Sequence, residues 1–309
     1  MQRGRVIKST GSWYLIDVGE GKQVEARVPG KFRTRGIRTT NPVAVGDWVE
    51  IEGESGSYTI DAIEERRNYI LRKSVNLSKQ SQIIAANLDQ AILVATVLEP
   101  VTFPAFIDRF CVSAEAFHIP VSIIFNKVDL LSASQRSELL GFASVYADLG
   151  YHVFLASAET REGVDAIRAN LVGKVSLLSG HSGVGKSTLV NALDSNLDIR
   201  VGAVSEAHRT GKHTTTFAEM HELASGGYIV DTPGIRGFGL VDLDKADLAG
   251  LFPEMRALLP NCNFYNCLHV KEPGCAVKAA LETGQVAQTR YNSYLGMYFD
   301  TAGAETYRS

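Results

Sequence analysis

Eight consecutive residues, Gly180, His181, Ser182, Gly183, Val184, Gly185, Lys186 and Ser187, follow the spacing G-x-x-x-x-G-K-[ST], with Thr188 next in line. Glycines let a backbone curl until several N–H groups face one anion. A helix opening at Lys186 would add its positive end to that cradle. There Lys186 reaches the β- and γ-phosphates of a nucleotide, and the Ser187 hydroxyl ligates Mg²⁺. The chemistry is the binding of a nucleoside triphosphate. The motif does not choose the base, so ATPases stay open at this point.

Asn126, Lys127, Val128 and Asp129 supply the choice. A carboxylate at Asp129 can accept hydrogen bonds from N1–H and N2–H₂ of guanine. Adenine has no N2 amine, and its N1 is an acceptor. ATP would leave that carboxylate desolvated and unpaired, a cost of about 1–3 kcal/mol. Asn126 would brace neighbouring loops or touch the base N7, and the Lys127 stem would lie over the ring. Ser157 and Ala158, after a further strand, fit a loop supporting the same base.

Asp231, Thr232, Pro233 and Gly234 read as a γ-phosphate sensor: Asp231 holds Mg²⁺ through water, and the Gly234 N–H bonds the phosphate. A hydrophilic stretch ends in Gly211, Lys212, His213, Thr214, Thr215 and Thr216. One of Thr214 and Thr215 is the expected second threonine on Mg²⁺, and the sequence does not say which. Ordering by the γ-phosphate and release on hydrolysis is the behaviour such loops show.

A second chemistry lies near the C-terminus. Cys262-x₄-Cys267-x-His269-x₅-Cys275 offers three thiolates and one imidazole. That set completes a tetrahedral zinc site with no open position, so the metal would be structural. Asn261, Asn263, Asn266 and the Pro273-Gly274 pair favour the tight turns it needs. Few apolar residues separate the ligands, so metal would supply much of the local folding energy. Cys111, between Phe110 and Val112, reads as a small buried side chain.

The elements that must position these residues fall into three groups. Short alternating runs at Gly4–Lys8, Trp13–Val18, Gln23–Val28, Trp48–Glu52 and Tyr58–Ile63 are broken by Gly and Pro, which predicts a small antiparallel barrel or sandwich. Residues 74–90 are rich in Ser, Asn and Gln and read as a linker. Strands at Ala91–Val97, Val121–Phe125, His152–Ala156, Val175–Leu178 and Tyr228–Val230 then alternate with helices at Phe103–His118, Ser134–Leu149, Val164–Leu171 and Lys186–Leu193. Ala91–Val97 is a continuous apolar run, as in a strand buried on both faces, and the alternation of strands and helices predicts a mostly parallel sheet covered on both faces. A further strand is expected at Phe217–Leu223, and helices at Ala276–Thr283 and Val286–Met297.

Composition sets the bounds. The chain has 309 residues, of which 45% are apolar and 21% charged, as in ordinary globular proteins. A net charge of -3 excludes a protein that coats nucleic acid by bulk charge, though not a local basic patch. Four cysteines are too few for a disulfide scaffold. There is no apolar run of membrane-spanning length and no apolar leader in the first ten residues, so a cytoplasmic protein away from membranes is expected.

The order of the motifs is unusual. Ras-like proteins run phosphate loop, switch threonine, DxxG, NKxD, SA. Here NKVD at 126–129 and SA at 157–158 come first, and GHSGVGKST at 180–188, GKHTTT at 211–216 and DTPGIRGFGL at 231–240 follow. With IAANLDQ at 84–90 and the Cys/His cluster, this set resembles the RsgA (YjeQ) family of circularly permuted GTPases over essentially the whole chain. The resemblance implies an OB-fold RNA-binding domain at 1–73, a permuted P-loop GTPase domain at 74–237 and a mostly helical zinc domain at 238–309. It also implies hydrolysis of GTP to GDP, stimulated by the small ribosomal subunit, in late maturation of that subunit through rRNA binding. A monomer is expected.

Two further expectations complete the reading. Ile235 stands where Ras-like enzymes carry a water-orienting Gln, so weak activity alone is expected. His213 is the nearest candidate to orient water, with RNA contact or packing as the competing roles. Residues 1–73 hold thirteen Lys/Arg and ten Asp/Glu, and Lys31, Arg33, Arg35 and Arg38 crowd around Phe32. Basic groups neutralise phosphates and an aromatic ring stacks on a base, so this loop is the candidate RNA face, with Arg66, Arg67, Arg72 and Lys73 extending it.

Overall fold

The computed structural model describes residues 1–11, 13–29, 42–54, 56–73, 81–197, 218–231 and 244–299. The N-terminal strands are β1 (Gln2–Ser9), β2 (Tyr14–Asp17), β3 (Gln23–Arg27), β4 (Trp48–Glu52) and β5 (Tyr58–Ile63). They run in the order β1-β2-β3-β5-β4, and pairing of β4 with β1 closes the barrel. β2 and β3 alternate buried with exposed or half-buried residues, as a strand with one face in a core must. The interior holds Val6, Tyr14, Ile16, Val49, Ile51 and Ile60.

Next come β6 (Tyr69–Lys73) and β7 (Ser81–Ala86), an antiparallel pair of their own. The linker reading of 74–90 therefore needs correction. Its Ile83-Ile84-Ala85-Ala86 core is a strand, and Ile83, Ala85 and Ala86 are buried. Flanking polar residues masked that short apolar run.

The central sheet contains β8 (Gln90–Ala95), β9 (Val121–Phe125), β10 (His152–Leu155) and β11 (Val175–Ser179), with β12 (Glu219–Glu222) and β13 (Tyr228–Asp231). Its order is β10-β9-β8-β11-β13-β12, parallel except for β12. β8, β9 and β11 are buried at every position, which is why they are mostly apolar without a regular polar alternation, and their few polar residues, Gln90, Ser122, Ser176 and Ser179, are buried too. Helices α1 (Pro104–Ala116), α2 (Ala133–Ala147), α3 (Val164–Leu171) and α4 (Lys186–Leu193) belong to this unit. One core cluster joins Leu93, Phe110, Ile123, Phe125 and Leu177, and another joins Ile92, Val94, Ile167 and Leu189.

β12 also meets β1 of the barrel, at Lys8 opposite Glu219, where the two side chains form an ion pair at 2.9 Å. Barrel and central sheet are thus one hydrogen-bonded surface. The C-terminal part is helical among its described residues: α5 (Pro253–Leu258), α6 (Ala276–Glu282) and α7 (Gln288–Tyr298). It packs around Phe252, Met255, Val277 and Tyr294, and Val112 of α1 belongs to the same cluster. No helix among the described residues is long and apolar enough to cross a membrane.

Candidate nucleotide site and Cys/His centre

Parallel strands end on one side of a sheet, and ligands bind where their carboxyl ends open. The Asn126 loop follows β9, Ser157 closely follows β10, the phosphate loop follows β11, and Asp231 ends β13. The register of the parallel pairs brings these ends together despite their scattered positions in the chain.

Asn126 joins three of the loops. Its Nδ2 donates to the Val184 carbonyl at 2.8 Å, and its Oδ1 accepts from the Ala158 N–H at 3.2 Å. It is buried, so both bonds form away from competing water. Gly185 explains why that position carries no side chain: a Cβ there would fall 2.5 Å from Asn126 Nδ2, and its φ is +89°. Gly180 is equally constrained, since a Cβ would meet the Val94 carbonyl of β8.

The Val128 side chain turns into the core, and its N–H donates to the Ala156 carbonyl at 3.1 Å. Asp129 is exposed, on a single 3₁₀ turn at Val128–Leu130. Lys127 holds a left-handed φ of +63° and sends Nζ to the Glu99 carbonyl at 2.6 Å. Ser157 is fully buried and its hydroxyl accepts the Thr160 N–H at 3.0 Å, fixing the loop that carries Ala158.

In the phosphate loop Ser182 and Gly183 are exposed, while Val184 is buried in the core. Lys186 Nζ lies on the Gly180 and His181 carbonyls at 2.7 and 2.6 Å. Ser187 and Thr188 follow in the first turn of α4. Among the described residues no side chain caps that turn, whereas α2 is closed by a capping box of Ser132 and Gln135. The orphan N–H groups of α4 therefore face the loop, which suits an anion. Burial, and then the Lys186 ammonium, hold the His181 imidazole below its ordinary pKa, so it stays neutral at pH 7.

His213, Thr214, Thr215, Gly234 and Ile235 lie outside the described residues, as do Lys31, Phe32, Arg33, Arg35 and Arg38. Only the backbone of Asp231, Arg72 and Lys73 is described. Arg66 is half-buried, and its guanidinium forks onto fully buried Asp47 at 2.6 and 2.7 Å rather than standing free on the surface. Arg67 is more exposed and pairs with Asp89 at 2.7 Å.

At the C-terminal end the ligand atoms of Cys262, Cys267, His269 and Cys275 all lie within 4.8 Å of one another. His269 Nδ1 is 3.7 Å from Cys262 Sγ and 3.3 Å from Cys275 Sγ. A tetrahedral zinc with ordinary bond lengths has S···N edges of about 3.5 Å. The donor set and its spacing fit zinc. Tyr291 Oη donates to the His269 carbonyl at 2.7 Å, and Tyr294 Oη donates to that of Leu268, so α7 holds the ligand loop from behind. The Glu272 carboxylate accepts N–H groups of Leu268, Val270 and Lys271. Cys111 is fully buried and burial pushes its thiol up, so it is inert.

Two relationships had no sequence signal. Phe106 of α1 packs against the His181 ring, with ring centroids 3.8 Å apart and the planes inclined by 32°. Asp108 of α1 is fully buried and receives Arg290 Nη1 of α7 at 2.7 Å. A charged residue within a helix ordinarily reads as solvated.

Comparison with known proteins agrees with this geometry. Residues 63–241 match the RsgA GTPase family, and residues 3–59 match the RsgA N-terminal domain. A small ribosomal subunit biogenesis GTPase RsgA of Bacteroides fragilis is 51% identical over 299 residues, 96% of each chain. One of Flavobacterium johnsoniae is 50% identical, over 94% of this chain and 91% of its own. The crystal structure of YjeQ from Thermotoga maritima superposes with a TM-score of 0.80 at 32% identity, covering 98% of this chain and 99% of that one. That of YloQ, a circularly permuted GTPase, gives 0.75 at 30% identity, covering 97% and 94%. With its barrel, its permuted sheet and its Cys/His centre, the chain belongs to the RsgA GTPase family.

Proposed function

We propose that this GTPase is stimulated by the small ribosomal subunit and acts late in the maturation of that subunit, binding its rRNA. The observation that carries the guanine-nucleotide reading is the Asn126 bridge, which joins the base loop to the phosphate loop and to Ala158. The curated relatives, named for small ribosomal subunit biogenesis, support the partner.

In this reading the N–H groups of Gly180 to Thr188 and the Lys186 ammonium hold the phosphates. Asp129 reads guanine, and Lys127, Ser157 and Ala158 frame the ring. Val128 serves by packing. Mg²⁺ would be held by Ser187, by Asp231 through water and by Thr214 or Thr215, and when bound it neutralises charge developing on the phosphates. Water attacks the γ-phosphorus, the bond to the β-γ bridging oxygen breaks, and GDP and phosphate leave. His213 is the candidate to orient that water, because Ile235 cannot.

Zinc held by Cys262, Cys267, His269 and Cys275 would be structural, since four protein ligands leave no open position. The barrel of 1–73 would present the basic loop at 31–38 to rRNA, and 74–237 and 238–309 would form the GTPase and zinc units. A cytoplasmic monomer suits this role.

Phosphate release from GTP and ATP, with and without purified small subunits, tests the reading. Turnover of GTP that rises at least about tenfold with the subunit, and none with ATP, is expected. Binding of GTP without stimulated release would make the protein a nucleotide-gated RNA chaperone instead. Equal turnover of ATP would overturn the guanine assignment.

A further inference from the structure

The phosphate loop has few side chains with which to hold its own shape. Gly180, Gly183 and Gly185 contribute none, and Ser182 is exposed. Val184 anchors one part in the core. The other anchor is His181, whose ring meets Phe106 at 3.8 Å with the planes inclined by 32°. His181 also offers its carbonyl to Lys186 Nζ at 2.6 Å. Whatever fixes the His181 ring therefore fixes the peptide on which the phosphate-binding lysine rests.

Phe106 stands in the first turn of α1, and that helix is pinned from the opposite side. Two residues on, Asp108 Oδ1 takes Arg290 Nη1 at 2.7 Å and Tyr146 Oη at 2.9 Å. Arg290, only 1% exposed, is forked by Glu254 of α5 at 2.7 and 3.1 Å. Val112, one turn further along α1, sits in the C-terminal core. Helix α1 thus touches the phosphate loop with one residue and the C-terminal unit with others.

We propose that Phe106 is a positioning residue for the nucleotide site: it holds His181, and with it the curl of the phosphate loop, from a helix that the C-terminal unit fixes through Arg290. A loop ordered before the ligand arrives spares the ordering cost on binding, so the stack acts on affinity. Burial and Lys186 favour the neutral imidazole, the form that packs on a ring face without bringing a charge into the stack. This rests on the nucleotide reading of the loop. It adds a determinant outside the loop itself.

The test uses the full-length protein and titration with fluorescent GDP and a non-hydrolysable GTP analogue, together with KM and kcat for GTP. Phe106→Ala should weaken nucleotide binding about tenfold, raising KM while kcat at saturation stays within about twofold. Phe106→Tyr should restore binding. His181→Ala should resemble Phe106→Ala, and the double variant should be no weaker than either alone, because both remove one interaction. Arg290→Lys, which keeps the charge but loses the fork, should weaken binding about threefold without touching the loop.

A Phe106→Ala protein that melts lower but binds nucleotide as the parent does would show mere packing and overturn the proposal. Additive losses in the double variant would overturn it too. Unchanged binding in Arg290→Lys would overturn the C-terminal anchoring. If Phe106→Ala did not fold, Phe106→Leu would replace it, keeping apolar bulk without a ring face, with the same expectation. Lys186→Ala separates the two levels: intact nucleotide binding there would sink the nucleotide reading itself.

Discussion

Asn126 Nδ2 lies 2.8 Å from the carbonyl oxygen of Val184, 58 residues further along the chain. One buried side chain thereby joins the loop proposed to read the base to the loop proposed to hold the phosphates. The bond also ties the end of β9 to the loop between β11 and α4, across β8.

Asn126→Ala removes this bond and the one to Ala158 while leaving the Val184 carbonyl buried without its donor. An orphaned buried group costs about 1–3 kcal/mol. Affinity for GDP should fall about ten- to a hundredfold, with a modest fall in Tm, read by calorimetric titration and thermal melting. Undiminished GDP affinity would show that the bridge does not organise the site.

Asp129→Asn exchanges an acceptor-only carboxylate for an amide that also donates. Guanine then presents its N2 amine to a donor, whereas xanthine presents a carbonyl there. GTP affinity should drop about a hundredfold and that for xanthosine triphosphate should rise, measured by competition. Retained preference for GTP would remove Asp129 from base recognition.

Arg290→Met leaves Asp108 buried without its cation. Breaking one side of a buried ion pair costs about 3–5 kcal/mol. The C-terminal unit should become sensitive to protease well below the parent's melting temperature. Asp108→Asn combined with Arg290→Met should cost less than the two singles added, since neither then strands the other's charge.

Elemental analysis should find one zinc per chain in the parent and near zero in Cys275→Ser. Removing the metal by chelation should have the same structural effect, seen as loss of protection from hydrogen exchange at residues 262–275. Binding releases thiol protons, so the metal should be lost more readily at pH 5.5 than at pH 7.5. Full retention of structure without metal would show that the Tyr291 and Tyr294 bonds alone suffice.

Much of this was legible in the sequence because it is local. The strand, loop and helix around Lys186 carry their own glycines and apolar runs. The close spacing of Cys262, Cys267, His269 and Cys275 pointed to a cluster that could hold a metal, and the fold brings their ligand atoms within 4.8 Å of one another. The permutation is written in the chain as NKVD standing before GHSGVGKST. Strands β8, β9 and β11 announced themselves because sheets covered on both faces leave no polar alternation.

Only the tertiary structure decided which distant groups meet. Ile83 to Ala86 became a strand because β6 offered it a partner, a fact that polar neighbours concealed. Arg66 turned inward because Asp47 waits there. Asp108 and Arg290 each look like surface charges on amphipathic helices, and burial becomes affordable only when packing brings the two together. Sequence records residue types and their spacing along one strand of chain. Contacts such as Phe106 on His181 depend on how separate elements cross, and no local pattern encodes that.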